Sequence, residues 1–191
     1  MFLGCSSLTS VVIPDSVTSI GERAFSGCSS LTSIVIPDIV TSIGGSAFYE
    51  CSSLTSVVID DSVTSIGGWA FHECSGLQFT VYENVKYLGN QNNPYHAAIE
   101  PKNDNLSSFV LHENTKIIAS TTFSDCSRLS SIEIPDSVTS IGERAFYRCS
   151  SLTNITFKGT VAEWYAIKKA SSWNYTVPAM EVVCLDGKVS L

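Results

Sequence analysis

The feature that most constrains this chain is the spacing of its cysteines. They stand at positions 5, 28, 51, 74, 126, 149 and 184, so the intervals are 23, 23, 23, 52, 23 and 35 residues. A fixed period between about 20 and 50 residues marks a repeat architecture. Four stretches beginning at a cysteine are copies of one unit: CSSLTSVVIPDSVTSIGERAFSG from Cys5, CSSLTSIVIPDIVTSIGGSAFYE from Cys28, CSSLTSVVIDDSVTSIGGWAFHE from Cys51 and CSRLSSIEIPDSVTSIGERAFYR from Cys126. The 52-residue interval holds two units with six extra residues in the first. Leu106, Phe109 and Leu111 match Leu8, Val11 and Ile13; Ile118 and Phe123 match Ile20 and Phe25; Asn103 takes the cysteine position. Units this short cannot bury an apolar face alone, so they must stack.

Within a unit, Leu8-x-x-Val11-x-Ile13 reads as a short strand with alternate residues inward. Pro14-Asp15-Ser16 makes a turn, with proline fixing φ and aspartate able to bond its own backbone. Val17 to Ile20 is a second extended piece, ended by Gly21. Ala24 and Phe25 then anchor a turn of helix or 3-10 helix back to the next cysteine. The expected fold is a β-rich solenoid of stacked parallel strands, about 4.8 Å apart, with short helical turns between them. It covers residues 1–157, with an irregular repeat at 74–102. Residues 158–191 form a capping segment. Thr160 to Glu163 is a capping box opening a helix that carries Lys168 and Lys169 in its last turn. Glu181–Leu185 and Lys188–Leu191 then flank Asp186-Gly187 as a hairpin.

The unit L-x-x-V-x-I-P-D-S-V-T-x-I-G-x-x-A-F-x-x-C-S-S resembles the BspA-type leucine-rich repeat family. The resemblance covers residues 2–157 in seven full or partial copies, and Gly159 to Trp164 is similar to the closing segment of such proteins. It implies a non-enzymatic protein-binding module of a secreted or cell-surface, adhesin-like protein, with host or extracellular-matrix proteins as partners. The alternative is a structural spacer in a longer surface protein, with no ligand of its own.

Charge narrows the partners. The net charge is −7, and only four arginines are present, Arg23, Arg128, Arg144 and Arg148. A nucleic-acid binder shows a basic face, and an anionic membrane surface asks for the same. Apolar runs are too short for a membrane span. Met1 to Cys5 has no basic segment and no long apolar stretch, so no secretory signal is expected in the chain. Phe2-Leu3-Gly4-Cys5 matches Phe25 to Cys28, so the chain opens at the tail of a repeat. An uncapped first strand, Leu8 to Ile13, would favour self-association through that edge.

Chemistry-bearing residues fall into repeat columns. Seven cysteines without paired C-x-x-C spacing do not make a zinc site, and stacked side chains point alike rather than at one another. They read as a ladder of buried, unreactive thiols, most clearly at Cys28, Cys51 and Cys126. The resemblance adds that such repeats place Asn or Cys there, which fits Asn103. Asp15, Asp38, Asp61 and Asp136 stack with Glu113, and Asp60 stands beside Asp61. The column reads either as a calcium-attracting row or as carboxylates capping their own turns. The histidines, His72, His96 and His112, belong to no H-E-x-x-H motif, and there is no G-x-S-x-G or phosphate loop. No catalytic residue, cofactor or metal is therefore expected. The sequons at Asn105, Asn154 and Asn174 are weak signals in so Ser/Thr-rich a chain, where 31 serines and 15 threonines stand.

The candidate binding surface is the outward side of the first strand. Its positions are Val12, Val35, Val58, then Phe79 and Val81, then Val110, an apolar stripe bordered by hydroxyls. Beside it, Gly89–Pro101 is free of the repeat register and carries Tyr95 and His96, in a kind of segment that often holds specificity. Against this stands the reading that β-propensity alone selects valine there.

Overall fold

The structure, a computed structural model, describes all 191 residues. The 23-residue period becomes a hydrogen-bonded register. Strands β1 (Ser10–Val12), β3 (Ser33–Val35) and β5 (Ser56–Val57) form a parallel ladder in which Ser10 pairs with Ser33 and Ser33 with Ser56. A second parallel ladder consists of β2 (Ser19–Ile20), β4 (Ser42–Ile43) and β6 (Ser65–Ile66). Both resume further along. β10 (Ser108–Val110), β12 (Ser131–Ile134), β14 (Asn154–Phe157) and β16 (Glu181–Val183) continue the first, and β17 (Lys188–Ser190) closes it antiparallel to β16. β11 (Ile117–Ile118), β13 (Ser140–Ile141) and β15 (Lys168–Lys169) continue the second.

The irregular repeat interrupts the stack differently from the sequence reading. Strands β7 (Thr80–Tyr82), β8 (Val85–Leu88) and β9 (Ala97–Pro101) form an antiparallel meander, and β9 lies parallel to β11. Phe79 and Val81 therefore do not continue the first ladder. Gln78 still donates its N–H to Thr55, one period back, and the chain leaves the register after it. The alternation at Leu77, Phe79 and Val81 satisfies a hairpin strand as well as a rung, and Glu83 completes the hairpin turn with φ of 50°.

β8 and the first two residues of β9 stand between two cores. Leu88 and Ala97 join the first, with Leu31, Ile43, Phe48 and Leu54; Val85, Tyr87 and Ala98 join the second, with Phe123, Leu129, Ile141 and Trp164. Alternate residues pointing to opposite sides let one strand serve two cores. Phenylalanines stack along the turns, Phe2 on Phe25, Phe48 and Phe71 at 5.3–5.5 Å, and again Phe123 on Phe146 at 5.4 Å.

The repeat tails are linked turns, not helix. Ala24, Ser26 and Cys28 each donate to the residue three before, but Arg23 and Gly27 have φ of 53° and 74°. The same two columns are left-handed at Ser46 and Glu50, Trp69 and Glu73, Thr121 and Asp125, and Arg144 and Arg148. Two left-handed residues four positions apart in each tail prevent a helix from propagating.

The Pro-Asp-Ser turns close through the backbone, Val17 N–H to Pro14 and Val40 N–H to Pro37 at 3.0 Å. The carboxylates of Asp15, Asp38 and Asp136 accept no hydrogen bond, so the expected aspartate caps are not formed; Asp61 alone accepts one, from Asn90. The hydroxyls join successive repeats. Thr32 and Thr55 each donate both N–H and hydroxyl to the threonine carbonyl 23 residues earlier, and Thr41 and Thr64 do the same along the second ladder.

At the C-terminal end the helix is α1 (Val161–Ala166), opened by the Thr160–Glu163 capping box. It is shorter than expected. Lys168 and Lys169 leave it to pair with Ser140 and Ile141 in the second ladder.

Candidate interaction surface

Strand alternation sorts each repeat into two faces. Val11, Ile34 and Val57 turn inward, and the residues after them turn outward: Val12 is 89% exposed, Val35 78% and Val58 55%. Val12 and Val35 are register partners. Ser10, Ser33 and Ser56, also exposed, run beside them. The first three repeats thus present a narrow apolar row edged by hydroxyls.

Past the insertion the chemistry of this face changes. Val110 is still exposed, but its register partner is Glu133, whose carboxylate lies 2.7 Å from the Lys158 ammonium. Thr156 follows. Val81 is exposed on the β7 hairpin, outside the row. Phe79 is half-buried against the first core, with the Lys86 ammonium 5.2 Å from its ring centre.

His96 is not a surface residue. It is 3% exposed, with Nε2 at 2.9 Å from the Val63 carbonyl and Nδ1 at 3.4 Å from the Asp61 carboxylate. It ties the insertion to the turn of the third repeat. Tyr95 is half-buried and stacks on the His112 ring at 3.6 Å, while Tyr82 and Tyr87 approach it edge-on at 6.1 and 5.7 Å. The Tyr87 hydroxyl accepts the His112 N–H, and burial pushes this phenol up to about 12. The cluster Tyr82, Tyr87, Tyr95 and His112 packs the insertion against the following repeat, a role visible in the sequence only as a crowding of tyrosines between 82 and 95. His72 is exposed beside Glu73 and Glu100 and stacks on Tyr49.

From Cys28 onward the cysteine column is buried, and four of its thiols have a partner. Cys28, Cys51, Cys74 and Cys149 donate to the carbonyls of Phe2, Phe25, Phe48 and Phe123 at 3.0–3.1 Å. Burial raises Cys51 to about 11 and Cys74, Cys126 and Cys149 to about 12. These are neutral, structural thiols, unlike the depressed ones of nucleophilic sites.

Comparison with known families gives one match, the BspA type leucine rich repeat region, in six copies over residues 1–93 and 102–173. The chain belongs to the BspA-type leucine-rich repeat family. The match leaves out residues 94–101, which contain all of β9, and residues 174–191. Sequence comparison with curated proteins finds no match. Among solved structures, this BspA-type chain is similar to a leucine-rich repeat protein of T. pallidum, with 25% identity and a TM-score of 0.41 over 78% of its length. It is also similar to a leucine rich cell surface protein of Faecalibacterium prausnitzii, with 25% identity and a TM-score of 0.44 over 90%. A leucine-rich repeat protein of Bacteroides ovatus has 28% identity and a TM-score of 0.44 over 78%. The chain spans 58%, 65% and 39% of those three proteins. No helix of the BspA-type chain is long and apolar enough to cross a membrane.

Proposed function

We propose that this chain is a non-enzymatic protein-binding module of a secreted or cell-surface protein, and that it binds a partner protein through the outward row of Val12, Val35 and Val58. The observation that carries the reading is the exposure of Val12 and Val35, register partners on a parallel ladder, and of Val58, the residue after β5. A contiguous exposed apolar patch is uncommon on a solvated surface and tends to mark an interaction site. Val81 and Val110 add exposed apolar surface beyond the row, while Phe79 and Tyr95 are half-buried and His96 is buried. Adhesion to host or extracellular-matrix proteins is the role that membership in the family favours.

The test is binding to a panel of immobilised extracellular-matrix proteins. A lysine at the centre of the row, Val35→Lys, removes binding to whichever member the unaltered chain captures. Tyr165→Ser, on the exposed face of α1, leaves it intact. Binding that survives Val35→Lys contradicts the assignment of the row.

A further inference from the structure

In the repeat tails, N–H groups at every second residue point to the following repeat. Arg23, Phe25 and Gly27 donate to Gly45, Ala47 and Tyr49; Ser46, Phe48 and Glu50 donate to Gly68, Ala70 and His72; Thr121, Phe123 and Asp125 donate to Glu143, Ala145 and Tyr147, all at 2.8–3.0 Å. The third repeat, inside the stack, departs from this pattern. The N–H groups of Trp69, Phe71 and Glu73 have no partner in the chain, and across the gap the carbonyls of Thr122 and Ser124 have none either. The irregular repeat has no turn of its own here, because β9, which floors the gap, pairs with β8 and β11 instead.

What remains is an open cleft of about 340 Å³ between Gly67–His72 and Ala119–Ser124, floored by Ile99 to Lys102. That lies within the ~300–1,000 Å³ of small-ligand clefts. The unpaired N–H groups of Trp69 and Phe71 belong to one wall, with that of Glu73 just beyond its end, and the unpaired carbonyls of Thr122 and Ser124 to the other, at the alternate-residue spacing of a polypeptide main chain. An anion would use only the donor wall. It would also meet Glu100 and Asp104 against Lys102, in a chain of net charge −7.

We propose that this slot docks a peptide segment of a partner protein, whose main chain supplies the missing turn. Its carbonyls accept from Trp69, Phe71 and Glu73, and its N–H groups donate to Thr122 and Ser124, as added strands complete an open sheet edge in other proteins. The slot lies in the turn column, apart from the valine row, and stands or falls independently of it.

The closing experiment uses the full chain, labelled with nitrogen-15, and a blocked peptide copying residues 142–149 with serine in place of the final cysteine. That segment presents the matching carbonyls at Glu143, Ala145 and Tyr147 in the chain itself, and it carries two arginines against one glutamate. The expected result is saturable binding that slows amide exchange at Trp69, Phe71 and Glu73 by about tenfold or more. Methylating the peptide nitrogens that match Phe146 and Arg148 weakens binding by about tenfold, because two neutral hydrogen bonds to Thr122 and Ser124 are lost. Three results overturn the proposal: no binding up to millimolar peptide, binding that leaves the three amides unprotected, or the same protection from inorganic phosphate alone.

Discussion

The thiol of Cys74 donates a 3.0 Å hydrogen bond to the carbonyl of Phe48, 26 residues earlier and one repeat back. The same step joins Cys51 to Phe25 and Cys149 to Phe123. Each of these three cysteines therefore fills the core and also satisfies the carbonyl of a stacked phenylalanine one repeat back. The column is a structural ladder on both counts, and all seven cysteines are free thiols.

Thiol accessibility follows directly. Cys5 is exposed and the six other cysteines are buried and free. With a colourimetric thiol reagent and no denaturant, one thiol per chain should react quickly, and the remaining six only on unfolding. Cys5→Ser should abolish the fast phase. Fast reaction of Cys28, Cys51 or Cys126 would contradict an inward column.

Alkaline pH should unfold the chain earlier than its carboxylates or amines would suggest. Burial raises Cys51, Cys74, Cys126 and Cys149 from near 9 to about 11 or 12. Below pH 9 both folded and unfolded chains hold these protons. As pH rises from 9 towards 12, the unfolded chain releases protons that the folded chain retains, so stability is lost across that window. Each such thiol removes about 1.4 kcal/mol per pH unit within it. Denaturant titrations at pH 8, 9.5 and 10.5 measure the slope, and Cys74→Ala should reduce it.

The glycine after the second strand is a packing requirement. A Cβ on Gly67 would lie 2.3 Å from the Gly45 nitrogen, and one on Gly44 would lie 2.5 Å from the Glu22 nitrogen, whereas Gly21 has open space. Gly67→Ala should cost about 3 kcal/mol or more, through forced separation of two repeats in a close-packed stack. Gly21→Ala should be near neutral. Thermal unfolding of the two variants compares them; equal costs would refute the stacking explanation.

Left-handed tail residues predict the opposite sign. Glu50, at φ of 59°, stands in the column where Gly27 has φ of 74°. Glu50→Gly should stabilise by about 1 kcal/mol, because a side chain in that region is strained, and Gly27→Ala should destabilise by a similar amount. Denaturant midpoints give both values.

The repeated stretches were legible because identical side chains recur every 23 residues, which fixes register without further information. The insertion was not. Residues 77–88 alternate in a way that suits a rung or a hairpin, and only the pairing of Val81 with Lys86 decides between them. His96 looks like a loop residue until Val63 and Asp61 close over it. The thiol bonds and left-handed columns were invisible for a different reason: they depend on backbone direction, which residue types such as Arg23, Ser46 and Trp69 do not signal.

The most direct test of the account is the combined variant Val12→Thr, Val35→Thr and Val58→Thr, measured for thermal unfolding and for affinity towards a matrix protein bound by the unaltered chain. These side chains are exposed and make little of the core, and threonine keeps the β-branched shape that strands favour. The account predicts an unfolding midpoint within about 3 °C of the unaltered chain, as surface substitutions give, with affinity lowered about tenfold or more. Undiminished affinity in a fully folded variant, or unfolding of the chain by these three changes, would contradict it.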